Sequence, residues 1–88
     1  MKLVYEASFA RDLKRVKDRQ LLQRVGQVLE ALKLAPDLGG LSGIKKMQGH
    51  DTYYRIRLGD YRIGIEVVHD EVILVRMLHR RDIYKYFP

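Results

Sequence analysis

The chain contains no cysteine, which removes both a disulfide framework and any thiolate zinc site. That suits a reducing compartment, and the cytoplasm is the expected location. It contains no long apolar run either: its hydrophobic stretches are only a few residues long, too short for a membrane span or a signal peptide. The histidines, His50, His69 and His79, are scattered and lack the helical spacing of a metal-binding pair, so neither a metal nor a cofactor is expected. No glycine-rich phosphate loop opens a helix, and Ser8 and Ser42 have no evident triad partners. Internal repeats, low-complexity tracts and domain boundaries are also missing, which leaves one domain over residues 1–88.

What the chain has in excess is positive charge. Lysine and arginine total 17 against 11 acidic residues, a net charge of +6 with a pI near 9.8. Residues 1–44 carry eight basic and five acidic side chains and residues 45–88 carry nine and six, so the excess is built into the fold and is not a basic tail. An apolar fraction of 47% is that of a folded domain. A compact basic domain points to a nucleic acid, an acidic protein partner, or both.

The charge is most ordered between Tyr53 and Arg62, YYRIRLGDYR. Tyr54, Ile56 and Leu58 alternate with Tyr53, Arg55 and Arg57, giving a strand with one apolar and one basic face. Gly59-Asp60 is a Gly-X pair suited to a two-residue hairpin turn. That turn sets Leu58 opposite Tyr61, Arg57 opposite Arg62 and Arg55 opposite Gly64. Like charges facing each other across a ladder are destabilising. The pattern therefore implies an anionic partner, and arginine is the side chain best shaped to grip phosphate. The competing reading is an exposed sheet face balanced by Asp60, Glu66 and Tyr53. Gly64 marks either a gap for a closely approaching base or backbone, or a bulge.

The remaining elements follow from periodicity. Residues 2–6 alternate as a first strand, and Ser8 stands in an N-cap position before Phe9, Leu13 and Val16 at helical spacing. Asp18 caps a second helix of about four turns carrying Leu21, Leu22, Val25, Val28, Leu29 and Leu32, which stops before Pro36. Residues 37–51, with four glycines, read as a loop anchored by Ile44 and Met47, with Lys45 and Lys46 facing out. Tyr61–Val68 and Glu71–His79 form further strands about a turn at His69-Asp70, and residues 81–86 a last helical turn. The expected fold is α+β in the order βααβββα, an antiparallel sheet core with the N-terminal helix hairpin on one face and a short C-terminal helix.

His79, Arg80, Arg81 and Tyr84 form a second constellation, since histidine and tyrosine can move protons or stack on bases. A two-residue turn at His69-Asp70 pairs Arg62 with Met77 and puts His79 on the arginine face; a one-residue bulge reverses this. These residues leave metal-free phosphodiester chemistry, or binding without chemistry.

Taken together, KLVYEASFARDLKRV, KKMQG, YYRIRLGDYRIGIEV and HRRDIY resemble the RelE/ParE superfamily of toxins from toxin–antitoxin pairs over nearly the whole chain. The resemblance implies the same order of elements. In its RelE-like branch it implies ribosome-dependent cleavage of mRNA in the A site of the 70S ribosome, without a metal, by attack of a 2′-hydroxyl on its own phosphate. Carried over, the catalytic positions are Arg55, Arg57, Arg62, Arg80 and Tyr84, with His79 a candidate for proton transfer. Lys45, Lys46 and Arg81 are the expected RNA or ribosome contacts. RelE has lysines where this chain has Arg55 and Arg57, and arginine is a poor proton acceptor. The implied partner is a RelB-like antitoxin, with the apolar outer side of EVILVRM offering it a surface. The alternatives implied are a ParE-like inhibitor of DNA gyrase without nuclease activity, and a degenerate homologue that only binds antitoxin.

Overall fold

Five strands lie in the order β1-β5-β4-β3-β2 in the computed structural model, which describes residues 1–88. In chain order the elements are β1 (Lys2–Tyr5), α1 (Ala7–Lys14), α2 (Arg19–Leu34), β2 (Ile44–Lys46), β3 (Tyr53–Leu58), β4 (Tyr61–Val68), β5 (Glu71–His79) and α3 (Ile83–Tyr86). This is the expected α+β fold, with two additions. Residues 44–46, read from their glycine-rich surroundings as loop, pair antiparallel with β3 as a short edge strand. The first strand joins the other edge parallel to β5, so the sheet is mixed. Period-two alternation reveals a strand but is blind to the direction of its neighbour.

The helices form where amphipathic spacing demands. Asp18 caps α2, its carboxylate accepting from the N–H groups of Gln20 and Leu21 at 2.9 and 3.2 Å. The start of α1 differs from the sequence expectation. Glu6 is its N-cap residue, and Ser8 lies inside the first turn with its hydroxyl donating to the Val75 carbonyl. Phe9, Leu21, Val25 and Leu32 pack onto Ile56, Leu58, Ile63, Ile65, Val72, Leu74 and Met77 from one face of the sheet. Fully burying side chains of this size contributes roughly 1.5–3 kcal/mol each, so this layer supplies most of the folding drive.

The β3–β4 hairpin has the register expected from its turn. Leu58 pairs with Tyr61, Arg57 with Arg62 and Arg55 with Gly64. Gly59 adopts φ 60, the left-handed backbone that makes glycine the suitable first residue of this turn. Between β4 and β5 the ladder shifts at Gly64/Ile65, where β5 carries one extra residue. Past this bulge Arg62 lies opposite Leu78, and Tyr61 opposite His79. On the outer sheet face Met47, Ile83 and Phe87 form a second, smaller cluster with Tyr53, Val75 and Leu78.

Candidate active site

Strand alternation gives β3 an outer row of Tyr53, Arg55 and Arg57, and β4 an outer row of Arg62, Gly64 and Glu66. Lys45 on β2 is directly opposite Arg55 and joins that face. The C-terminal segment is tied back to the hairpin turn, the Arg80 N–H donating to the Asp60 carbonyl at 2.8 Å. From there α3 carries Tyr84 over the strand, where its hydroxyl accepts from Nε of Arg55 at 3.1 Å. Arg62 is half-buried and folded against the turn, its Nη1 donating to the carbonyls of Gly59 and Tyr61 at 2.7 and 2.8 Å. Burial holds the Arg62 guanidinium below its ordinary pKa, and the charges of Arg55, Arg57 and Arg80 push the same way while Tyr84 opposes them. Arg55, Arg57, Arg62, Arg80 and Tyr84 thus form one cluster.

No acid neutralises it. The ion pairs of the molecule are Lys2–Glu71, Lys33–Glu30, Lys46–Asp51 and Arg76–Asp12, and none involves these arginines or Lys45. Glu66, a candidate counter-charge on this face, instead accepts from the Thr52 hydroxyl at 3.0 Å. Four guanidiniums and a lysine sharing a sheet face without counter-ions have a strong electrostatic preference for a polyanion. Arginine rather than lysine at most of these positions favours bidentate grip on phosphate. No group of His, Cys, Asp or Glu side chains is placed to hold a metal ion.

His79 and Gly64 differ from the sequence expectation, and Lys46 and Arg81 lie apart from the arginine row. The bulge sends His79 to the helix-layer side. There its ring meets Tyr61 edge-on at 5.5 Å, and its Nδ1 accepts from the Arg81 N–H at 3.2 Å. This is the sheet face opposite the one that carries Arg62. Lys46 pairs with Tyr54 rather than Arg55 and reaches Asp51 at 3.8 Å, while Arg81 lines a cleft with Arg15 and His79 beside α1. Of the proposed RNA contacts Lys45, Lys46 and Arg81, only Lys45 is on the arginine face. The space above Gly64 is occupied by the protein's own Phe87, and Ile83 and Phe87 of the C-terminal segment pack over Val75 and Leu78 on the outer side of β5.

That close approach gives a direct test. A Cβ on residue 64 would lie 2.7 Å from ring atoms of Phe87. Gly64→Ala should therefore destabilise by about 1–3 kcal/mol through overpacking. Urea unfolding should show this loss, and proteolysis should show the segment from Ile83 onward opening first. An unchanged midpoint and digestion pattern would mean that Phe87 does not bear on Gly64.

The sequence reading missed the partners that hold this arrangement, although signals for them existed. Asp12 interrupts the apolar stripe of α1 between Phe9 and Leu13–Val16, and Arg76 interrupts the apolar run of β5. A carboxylate and a guanidinium set into two otherwise apolar stripes are candidates for pairing across the interface. Asp12 is indeed buried and takes Arg76 Nε at 2.8 Å.

A mixed five-strand sheet, backed by helices on one face and carrying a bare arginine–tyrosine cluster on the other, defines a small RelE-like toxin domain. Residues 3–84 match the family model described as the ParE toxin of the type II toxin–antitoxin system parDE. Toxin RelE3 of Methanocaldococcus jannaschii is 44% identical over 89 residues, covering 100% of both chains. A crystal structure of a RelB–RelE antitoxin–toxin complex from Methanococcus jannaschii is similar with a TM-score of 0.82 and 41% identity, over 97% of this chain and 99% of that one. An archaeal RelE–RelB complex from Pyrococcus horikoshii shares the fold at a TM-score of 0.74 and 19% identity, over 90% of this chain and 93% of that one. The chain belongs to the RelE/ParE superfamily of type II toxin–antitoxin toxins.

Proposed function

We propose that this toxin is a metal-free endoribonuclease that cuts mRNA on the translating ribosome, in the cytoplasm. The observation that carries the reading is the hydrogen bond from Arg55 Nε to the Tyr84 hydroxyl at 3.1 Å, set among arginines that no acid neutralises. Cleavage by a neighbouring 2′-hydroxyl forms a 2′-O–P bond and breaks the P–O5′ bond, leaving a cyclic phosphate and a 5′-hydroxyl. Charge builds on the phosphate oxygens in the transition state, and Arg55, Arg57 and Arg62 supply fixed donors for it. Arginine does not deprotonate at neutral pH, so the reading gives proton movement to Tyr84, whose hydroxyl meets Arg55 within the cluster. Tyr84 can accept the 2′-hydroxyl proton while passing its own to water, and Arg80 hydrogen-bonds the departing 5′-oxygen, which takes a proton from water. The face is open, with Arg57, Arg80 and Tyr84 exposed. That favours a large substrate that brings its own surroundings, as mRNA in a ribosomal site would.

Primer extension on mRNA during translation tests this: the wild-type chain should produce breaks with 5′-hydroxyl ends in the A site. An absence of breaks would overturn the reading. The ParE description of the matching family model favours inhibition of DNA gyrase as the second reading. It predicts arrested supercoiling by purified gyrase with intact mRNA. In either case the similarity to RelB–RelE complexes supports a cognate RelB-like antitoxin. The outer sheet face beyond α3, where Val4, Val68 and Ile73 neighbour one another incompletely covered, suits an apolar segment of such a partner.

A further inference from the structure

Strand β1 ends at Tyr5, opposite Leu74, so the outer edge of β5 beyond Leu74 has no strand to pair with. Helix α1 takes over this edge. The Ser8 hydroxyl donates to the Val75 carbonyl, and the Asp12 carboxylate accepts from the Met77 N–H at 2.8 Å. Four residues apart on one helix, these side chains project from the same face, one turn from each other. Just before them the Glu6 N–H donates to the Leu74 carbonyl at 3.0 Å. Residues 74–77 are thereby stitched to α1 at fixed spacing, and this is the segment of β5 that holds the bulge.

The bulge decides what faces the substrate. Ile65 pairs with Leu74 but Gly64 pairs with Arg76, so one extra residue of β5 is accommodated there. Every side chain downstream changes face relative to a continuous ladder. With the bulge, Leu78 lies opposite Arg62, His79 turns to Tyr61, and Arg80 comes to the arginine face. Without it, Met77 would lie opposite Arg62, His79 would stand on the arginine face and Arg80 would point to the helix layer.

We propose that Ser8 and Asp12 are positioning residues. By satisfying the Val75 carbonyl and the Met77 N–H from one helix turn, they hold β5 in its bulged register and so select Arg80, not His79, as the C-terminal cation of the site. The consequence for activity rests on the nuclease reading above; the register does not.

The test uses isotopically labelled full-length protein carrying Ser8→Ala with Asp12→Ala. Amide exchange at Met77 should accelerate tenfold or more on loss of its acceptor, on the order expected for one buried hydrogen bond. Nuclear Overhauser contacts between Tyr61 and His79, and between Leu78 and Phe87, should weaken together. On ribosomes kcat should fall about 100-fold as Arg80 is displaced, with KM changing much less. Asp12→Asn keeps a carbonyl acceptor for Met77 and should restore the contacts and most of kcat, a rescue that a purely ionic role for Asp12 would not give. Should the double variant fail to fold, Ser8→Ala and Asp12→Asn are compared singly, the first loosening the contacts and the second preserving them. Wild-type contacts in a folded double variant, or loss of contacts in Asp12→Asn, would overturn the proposal. These contacts are read without RNA, so a wild-type chain that cuts no mRNA would count against the nuclease reading alone.

Discussion

Arg62→Ala should cut translated mRNA roughly 100- to 1,000-fold more slowly than the wild-type chain, the loss typical of removing one preorganised donor from a developing oxyanion. Arg62 is singled out by how it is held. Its Nη1 is committed to the carbonyls of Gly59 and Tyr61, which fixes the guanidinium plane and leaves Nε and Nη2 free to fork onto a phosphate. Arg62→Lys keeps the charge but has no planar fork to grip a phosphate bidentately while also holding the turn carbonyls, so it should recover only part of the rate. Stability should move differently. Arg62 faces Arg57 directly across the ladder, and its depressed pKa comes from burial and then from neighbouring arginines. Its removal relieves that repulsion, so the Ala protein should melt at or slightly above the wild-type temperature. Primer extension and a thermal melt on the same sample check both halves. A rate near wild type, or a melting temperature several degrees lower, would make Arg62 a structural residue and not part of the cleavage site.

The largest stability effect is expected at the other interrupted stripe. Arg76→Met should destabilise by about 3–5 kcal/mol, because it leaves the buried carboxylate of Asp12 without its counter-charge. In a domain of this size that corresponds to a fall of roughly 15 °C or more in melting temperature. The double variant Asp12→Asn with Arg76→Met should recover most of the loss, since the amide oxygen still accepts from the Met77 N–H and no charge remains buried. Calorimetry across the four proteins of this double-mutant cycle measures the coupling. Additive losses would show that Asp12 and Arg76 stabilise the fold separately.

The hairpin was legible in the sequence because its determinants are local. A Gly-X turn and a period of two suffice to put Arg57 opposite Arg62 and Arg55 opposite Gly64, and that is the register found. The cap at Asp18, the stripe of α2 and the end of that helix before Pro36 follow from neighbours within one or two turns. Arg80 and Tyr84 could be named from sequence, but not placed. Whether Arg80 or His79 would face the arginines turned on a single extra residue in β5, and alternation allows either outcome.

Sequence alone determined the α+β class, the excess positive charge and the outward row of arginines on one hairpin, because each depends on residues close together in the chain. The tertiary structure decided the parallel pairing of β1, the split of Lys45 from Lys46, the seat of Phe87 on Gly64, and the bulge that exchanges His79 for Arg80. The physical reason is satisfaction at a distance. The backbone groups of Val75 and Met77 are met by side chains of α1 more than sixty residues earlier, and which strand register is cheapest depends on where that helix packs.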